Sequence, residues 1–217
     1  MDEPQDLTMG DWTLKVRVPV GSGPHQVIFL IHGWTGDEKS MWVFSSRLPR
    51  NSLLIAPRAP YVSRHPEFGG YSWVPERGEN FSNLVMFQPA SDSFEKLLSQ
   101  LPDALPGEYN RFGMVGFSQG AAFSYTFAMH NSQRVDRLAS LAGFLPSETN
   151  NLAALASIPI FIAHGTEDET VPVSMARSAR SSLEAAGVKV SYCESKTGHK
   201  LGANCSKQLG EFFESGS

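Results

Sequence analysis

The sequence predicts an α/β domain: a mostly parallel central sheet with helices on both faces. Three observations carry that reading. Short, mostly continuous apolar runs recur along the chain, and amphipathic stretches of helical length lie between several of them. The length, 217 residues, suits one such domain and is too short for two full-sized ones. With 41% hydrophobic and 18% charged residues, the chain has the composition of a folded globule and not of a disordered segment.

The elements follow in order. Residues 1–10 are acidic and polar, with no basic region leading into an apolar run, so they predict a flexible start and no secretory leader. In 12–18, Trp12, Leu14, Val16 and Val18 alternate with Thr13, Lys15 and Arg17, the pattern of a half-exposed antiparallel edge strand. The runs 27–31, 53–56, 112–115, 138–142, 159–163 and 188–193 read as strands buried on both faces. Helices are expected over 38–48, 91–105, 119–130, 173–186 and 201–213, where apolar residues recur at helical spacing. The stretch 58–90 is rich in Pro, Gly, aromatics and charge and holds no sustained period. It predicts a long loop at the carboxyl edge of the sheet, where α/β proteins bind ligands.

Charge and cysteine content exclude several classes of function. Eighteen Lys and Arg stand against 22 Asp and Glu, a net charge of −4, so nothing favours a polyanionic nucleic acid or an anionic membrane surface. The apolar runs are a few residues long, against about 20 for a membrane span. Cys193 and Cys205 are too few for a disulfide framework and are expected as free thiols of a cytoplasmic chain.

Gly116-Phe117-Ser118-Gln119-Gly120 is a G-x-S-x-G pentapeptide, which at this composition arises by chance in about one chain in five. Its setting gives it meaning. It follows the apolar run 112–115 and opens the apolar helix 119–130, the strand-turn-helix arrangement that lifts a nucleophilic serine clear of the backbone. Ser118 then needs a base held by a carboxylate. Of six histidines, His25, His65 and His130 read as ordinary loop or helix-end residues, and His32 and His164, each ending a buried run, as structural ones. His199 lies in a polar turn after the last strand and is the candidate base. The acid belongs after the run 159–163, where Glu167, Asp168 and Glu169 are all available. Backbone donors for a tetrahedral oxyanion are expected at Gln119 N–H and, from the turn after 27–31, at Trp34 N–H. No metal-ligand set and no phosphate-loop lysine is recognisable, so neither metal nor cofactor is expected.

Taken together, these motifs resemble the phospholipase/carboxylesterase family of α/β hydrolases, which includes acyl-protein thioesterases. The likeness spans 27–213 and rests on Ile31-His32-Gly33 with Gly36-Asp37-Glu38, Pro57-Arg58-Ala59-Pro60, the serine pentapeptide with Ala121, Ala142-Gly143-Phe144-Leu145-Pro146, His164-Gly165 with Asp168 and Val171-Pro172, and Gly198-His199. The resemblance implies the α/β-hydrolase fold without a separate cap domain, and it selects Asp168 among the three acids. It departs from the pattern at Thr35, where bacterial members often have glycine, and at Trp34, which sets an indole beside the oxyanion site.

The implied activity is hydrolysis of small or medium acyl esters by Ser118, His199 and Asp168. Acyl-protein thioesterase or lysophospholipase activity is the alternative within the same chemistry. A receptor-like protein that binds a small molecule with little turnover is the alternative outside it. Trp34, Tyr71, Trp73 and Phe144 are expected to wall the acyl pocket.

Overall fold

The computed structural model describes residues 3–21, 23–65, 67–75, 82–149 and 151–215. An eight-stranded sheet is built from β1 (Gln5–Met9), β2 (Trp12–Arg17), β3 (His25–Ile31), β4 (Leu53–Pro57), β7 (Gly107–Phe117), β8 (Val135–Leu141), β9 (Ile160–Gly165) and β10 (Val190–Ser195), and β5 (Tyr61–Val62) with β6 (Tyr71–Ser72) makes a separate hairpin. The sheet order is β1-β2-β4-β3-β7-β8-β9-β10. Only β2 runs against the rest, pairing antiparallel with both β1 and β4. Four α-helices, α1 (Leu84–Gln100), α2 (Gln119–His130), α3 (Val173–Ala185) and α4 (Ala203–Glu214), accompany a longer 3-10 helix at Ser40–Arg47.

Alternation along the central strands creates two cores. In β3, Val27, Phe29 and Ile31 enter one cluster with α1, α2 and α3, while Ile28 and Leu30 enter another with α4 and the 3-10 helix. Aromatic rings dominate the first: Phe29 meets Phe94 and Phe112 edge-on at 5.0 and 4.9 Å, and Trp73 stacks on Phe123 at 4.2 Å. Such pairs contribute about 0.5–1.5 kcal/mol each beyond the area they bury. No helix among the described residues is long and apolar enough to cross a membrane.

Six expectations need correction. The run 12–18, expected at the sheet edge, forms β2 between β1 and β4, because the polar segment before it adds an outer strand. The run 188–193, expected to be covered on both faces, gives β10 at the opposite edge, in which Cys193 alone is buried. Residues 5–9, expected to be flexible, form β1, whose side chains are mostly exposed and therefore left no apolar pattern to read. The helix expected from 91 begins at Leu84, inside the presumed loop; the Asn83 side chain caps it by accepting from Val85 N–H at 3.0 Å, and Pro89 lies within it. The segment 38–48 is a 3-10 helix and not an α-helix. Cys193 and Cys205 are joined in a disulfide that ties β10 to α4, with Cα atoms 5.6 Å apart. The chain doubles back between them, a contact that spacing in the sequence does not reveal. Disulfides persist in oxidising compartments, so the cysteine count no longer argues for the cytosol.

Candidate active site

The serine sits where β7 passes into α2. Its backbone has φ +52° and ψ −118°, a conformation that costs a non-glycine residue about 1–3 kcal/mol and that only a well-determined surround maintains. That surround is tight. A β-carbon on Gly116 would lie 2.5 Å from the Gly120 carbonyl oxygen, and one on Gly120 would collide with the carbonyl oxygens of Ile31 and His32. Both glycines are therefore required by close backbone approach. Ser118 N–H donates to Leu141 O at 2.9 Å, pinning the turn to β8 while the side chain remains partly exposed.

After β9 the chain turns through the three acids. Glu167 and Glu169 face solvent; Asp168 turns inward and its side chain is fully buried. Its Oδ1 accepts from Thr170 N–H and Val171 N–H, both at 2.9 Å. Its Oδ2 lies 2.7 Å from His199 Nδ1, and since a carboxylate only accepts, Nδ1 carries the proton. His164 Nε2 approaches the same oxygen at 3.3 Å while donating to Val171 O at 2.8 Å. The loops bearing Asp168 and His199 are zipped together by Thr166 N–H to Ser195 O at 2.8 Å and Glu167 N–H to Thr197 O at 3.0 Å. A β-carbon at Gly165 would strike the carbonyls of Thr197 and Gly198, so these loops pack backbone to backbone. The His199 ring rests 4.9 Å from that of Phe117, the residue before Ser118.

The turn holding Trp34 abuts the serine: a β-carbon at Gly33 would be 3.3 Å from Ser118 Cβ. Thr35 in this turn has φ +67° and is held by β6, with Thr35 N–H donating to Tyr71 O at 3.0 Å and Tyr71 N–H to Gly36 O at 2.9 Å. The His32 ring is spent on structure, donating from Nδ1 to Gly33 O at 2.7 Å and accepting Ala59 N–H at Nε2 at 2.9 Å. Burial pushes its pKa down to about 4, so the ring is neutral in the folded protein. Gln119, with its backbone at the start of α2, has a buried side chain: Oε1 accepts Trp73 N–H at 3.0 Å and Nε2 donates to Ser72 Oγ at 3.1 Å.

Of the four residues expected to wall the acyl pocket, Trp73 and Phe144 are instead buried in the core. Trp34 lines a groove of about 540 Å³ bounded by Gly33–Gly36, by Ser40, Met41, Val43 and Phe44 of the 3-10 helix, by Phe117, and by Lys200, Leu201 and Ser206. Trp73 is fully buried, and its indole N–H donates to His32 O at 2.8 Å, so it braces the Trp34 turn from below. Phe144 is 4% exposed and belongs to the core. Tyr71 lies under the Arg58 guanidinium at 4.6 Å, and Arg58 in turn donates to the buried Glu38 carboxylate at 2.8 and 3.1 Å. The lining residues Met41, Val43 and Phe44 were missed because 38–48 reads as a helix facing the sheet. The unpaired signal was the apolar Val43 beside Phe44, too many apolar side chains for one buried face.

The phospholipase/carboxylesterase family model matches residues 16–214. The chain belongs to this family. Acyl-protein thioesterase 1 of Yarrowia lipolytica is 25% identical over 187 residues, covering 76% of this chain and 79% of its own length. The Eremothecium gossypii protein of the same name is 27% identical, covering 79% and 78%. Among solved structures, a carboxylesterase from Mesorhizobium loti superposes with a TM-score of 0.81 at 19% identity over all of both chains. Esterase PE8 gives 0.79 at 22% identity, covering 92% and 96%. The fold is that of the α/β hydrolases, and the family member described here is a serine hydrolase.

Proposed function

We propose that the protein hydrolyses carboxylic esters of small or medium acyl chains through Ser118, His199 and Asp168. The observation that carries this reading is the buried Asp168 carboxylate 2.7 Å from His199 Nδ1, with the His199 ring packed on Phe117 next to the strained Ser118. With its Nδ1 proton committed to Asp168, His199 leaves Nε2 free to accept the Ser118 hydroxyl proton as Oγ attacks the acyl carbonyl. The backbone N–H groups of Trp34 and Gln119 hold the oxyanion of the tetrahedral intermediate. His199 then protonates the departing alcohol, and water repeats the sequence on the acyl-enzyme, regenerating Ser118. No cofactor enters this scheme.

The names of the relatives favour one second reading, hydrolysis of thioesters by the same residues, because several of them are acyl-protein thioesterases. A stopped-flow burst decides the chemistry. With p-nitrophenyl butyrate the wild-type protein should release one equivalent of p-nitrophenol per site ahead of steady turnover, and Ser118→Ala should lose the burst. Unchanged turnover in that variant overturns the proposal. Comparing butyrate esters with the matching thioesters separates the two substrate classes.

A further inference from the structure

We infer that the groove between the 3-10 helix and the start of α4 holds an unbranched aliphatic arm of the substrate, and that Val43 and Phe44 set the preference for its length. The inference rests on the ester-hydrolase reading above. The groove is lined by immediate neighbours of the site: Phe117, which precedes Ser118 and whose ring lies 4.9 Å from that of His199, Gly33 and Trp34 of the turn that abuts Ser118, and Leu201, two residues after His199. Its volume, about 540 Å³, falls within the range of small-molecule sites. Met41, Val43, Phe44, Phe117 and Leu201 give it apolar walls, and Lys200 is the one charged residue among the described residues that line it. Val43 is 74% exposed, although its neighbours Met41 and Leu48 are buried in the core. Val43 does not stand alone: it joins Met41, Phe44, Phe117 and Leu201 in one contiguous apolar lining, the kind of surface that marks a ligand groove. On the flank of β6, Tyr71 is covered by Arg58 and Trp73 is buried beneath the Trp34 turn, so neither side chain opens a cavity there.

The arm can belong to the acyl or to the alcohol part of the ester, and two substrate series tell them apart. One runs from p-nitrophenyl acetate through butyrate to octanoate, the other from methyl through butyl to octyl acetate. Burying a methylene is worth about a fourfold change in kcat/KM at most, so a half-open groove should give about two- to fourfold per methylene along one series. In that series Val43→Glu should lower the ratio of longest to shortest substrate at least tenfold. Val85→Glu, which places the same charge at an exposed valine on α1, should leave the ratio where it was. A flat response in both series with normal turnover of the acetates overturns the groove and spares the ester-hydrolase reading, as does an equal effect of the two valine variants. Failure to turn over any ester overturns both.

Discussion

Replacing Asp168 by Asn tests the geometry of the acid loop most sharply, and the structure fixes what the amide must do. Oδ1 accepts two backbone N–H groups at 2.9 Å, so the asparagine carbonyl has to stay there, because an NH2 group facing those donors would be repelled. The amide nitrogen then takes the place of Oδ2, 2.7 Å from His199 Nδ1 and 3.3 Å from His164 Nε2. Donor faces donor. His199 must move its proton to Nε2, where it can no longer accept one from Ser118. The expected loss in kcat is about ten-thousandfold, or about 5 kcal/mol of transition-state stabilisation. Glu167→Gln and Glu169→Gln alter exposed side chains and should stay within about twofold of wild type. Steady-state kcat on p-nitrophenyl butyrate, with thermal midpoints confirming that each variant is folded, reads the result. Retention of more than a tenth of wild-type kcat by the asparagine variant, or an equal loss in either glutamine variant, would refute the reasoning.

Gly120→Ala should be harmful twice over: its β-carbon meets two backbone carbonyls of the Trp34 turn, so we expect about 1–3 kcal/mol lost in urea unfolding and at least a tenfold fall in kcat. His32 predicts an acid-side loss of stability. Its folded pKa is about 4 against an ordinary value of 6.5, so the unfolded chain binds the proton first and the contribution present above pH 6.5 is lost as pH falls towards 4. Urea midpoints should show about 2 kcal/mol lost from this group between pH 7 and pH 5, with a shallower slope in His32→Asn. Removing the disulfide with Cys193→Ala and Cys205→Ala together opens a ring with a sequence separation of 12 and should cost about 3 kcal/mol in the same assay; a loss below about 0.5 kcal/mol would contradict the chain-entropy argument.

What could be read in the sequence was whatever short-range patterns encode. The buried runs became β3, β4, β7, β8 and β9, because strands covered on both faces need continuous apolar residues, whereas 188–193 became the edge strand β10, in which Cys193 alone is buried. The serine turn was equally legible, since its glycines answer to backbone collisions within a few residues and the adjoining turn. Asp168 was harder. Local chemistry offered three acids, and only the folded loop, with Thr170 N–H and Val171 N–H converging on one carboxylate, distinguishes it; the family resemblance supplied what local pattern did not. The pocket was misread for a related reason. Trp73 stands in an aperiodic stretch where no pattern tells a buried indole from an exposed one, and it is His32 O that draws its N–H inward. Its role as a brace for the Trp34 turn emerges from tertiary contact alone, as does the Cys193–Cys205 bond.

The central claim is that Ser118 is the nucleophile. Treating the protein with a fluorophosphonate and mapping the adduct by peptide mass spectrometry tests it without any assumption about the natural substrate. The account predicts one adduct per chain, on Ser118, with loss of esterase activity in proportion to labelling and no labelling of Ser118→Ala. An adduct on another residue, or full activity after complete labelling of Ser118, would contradict it.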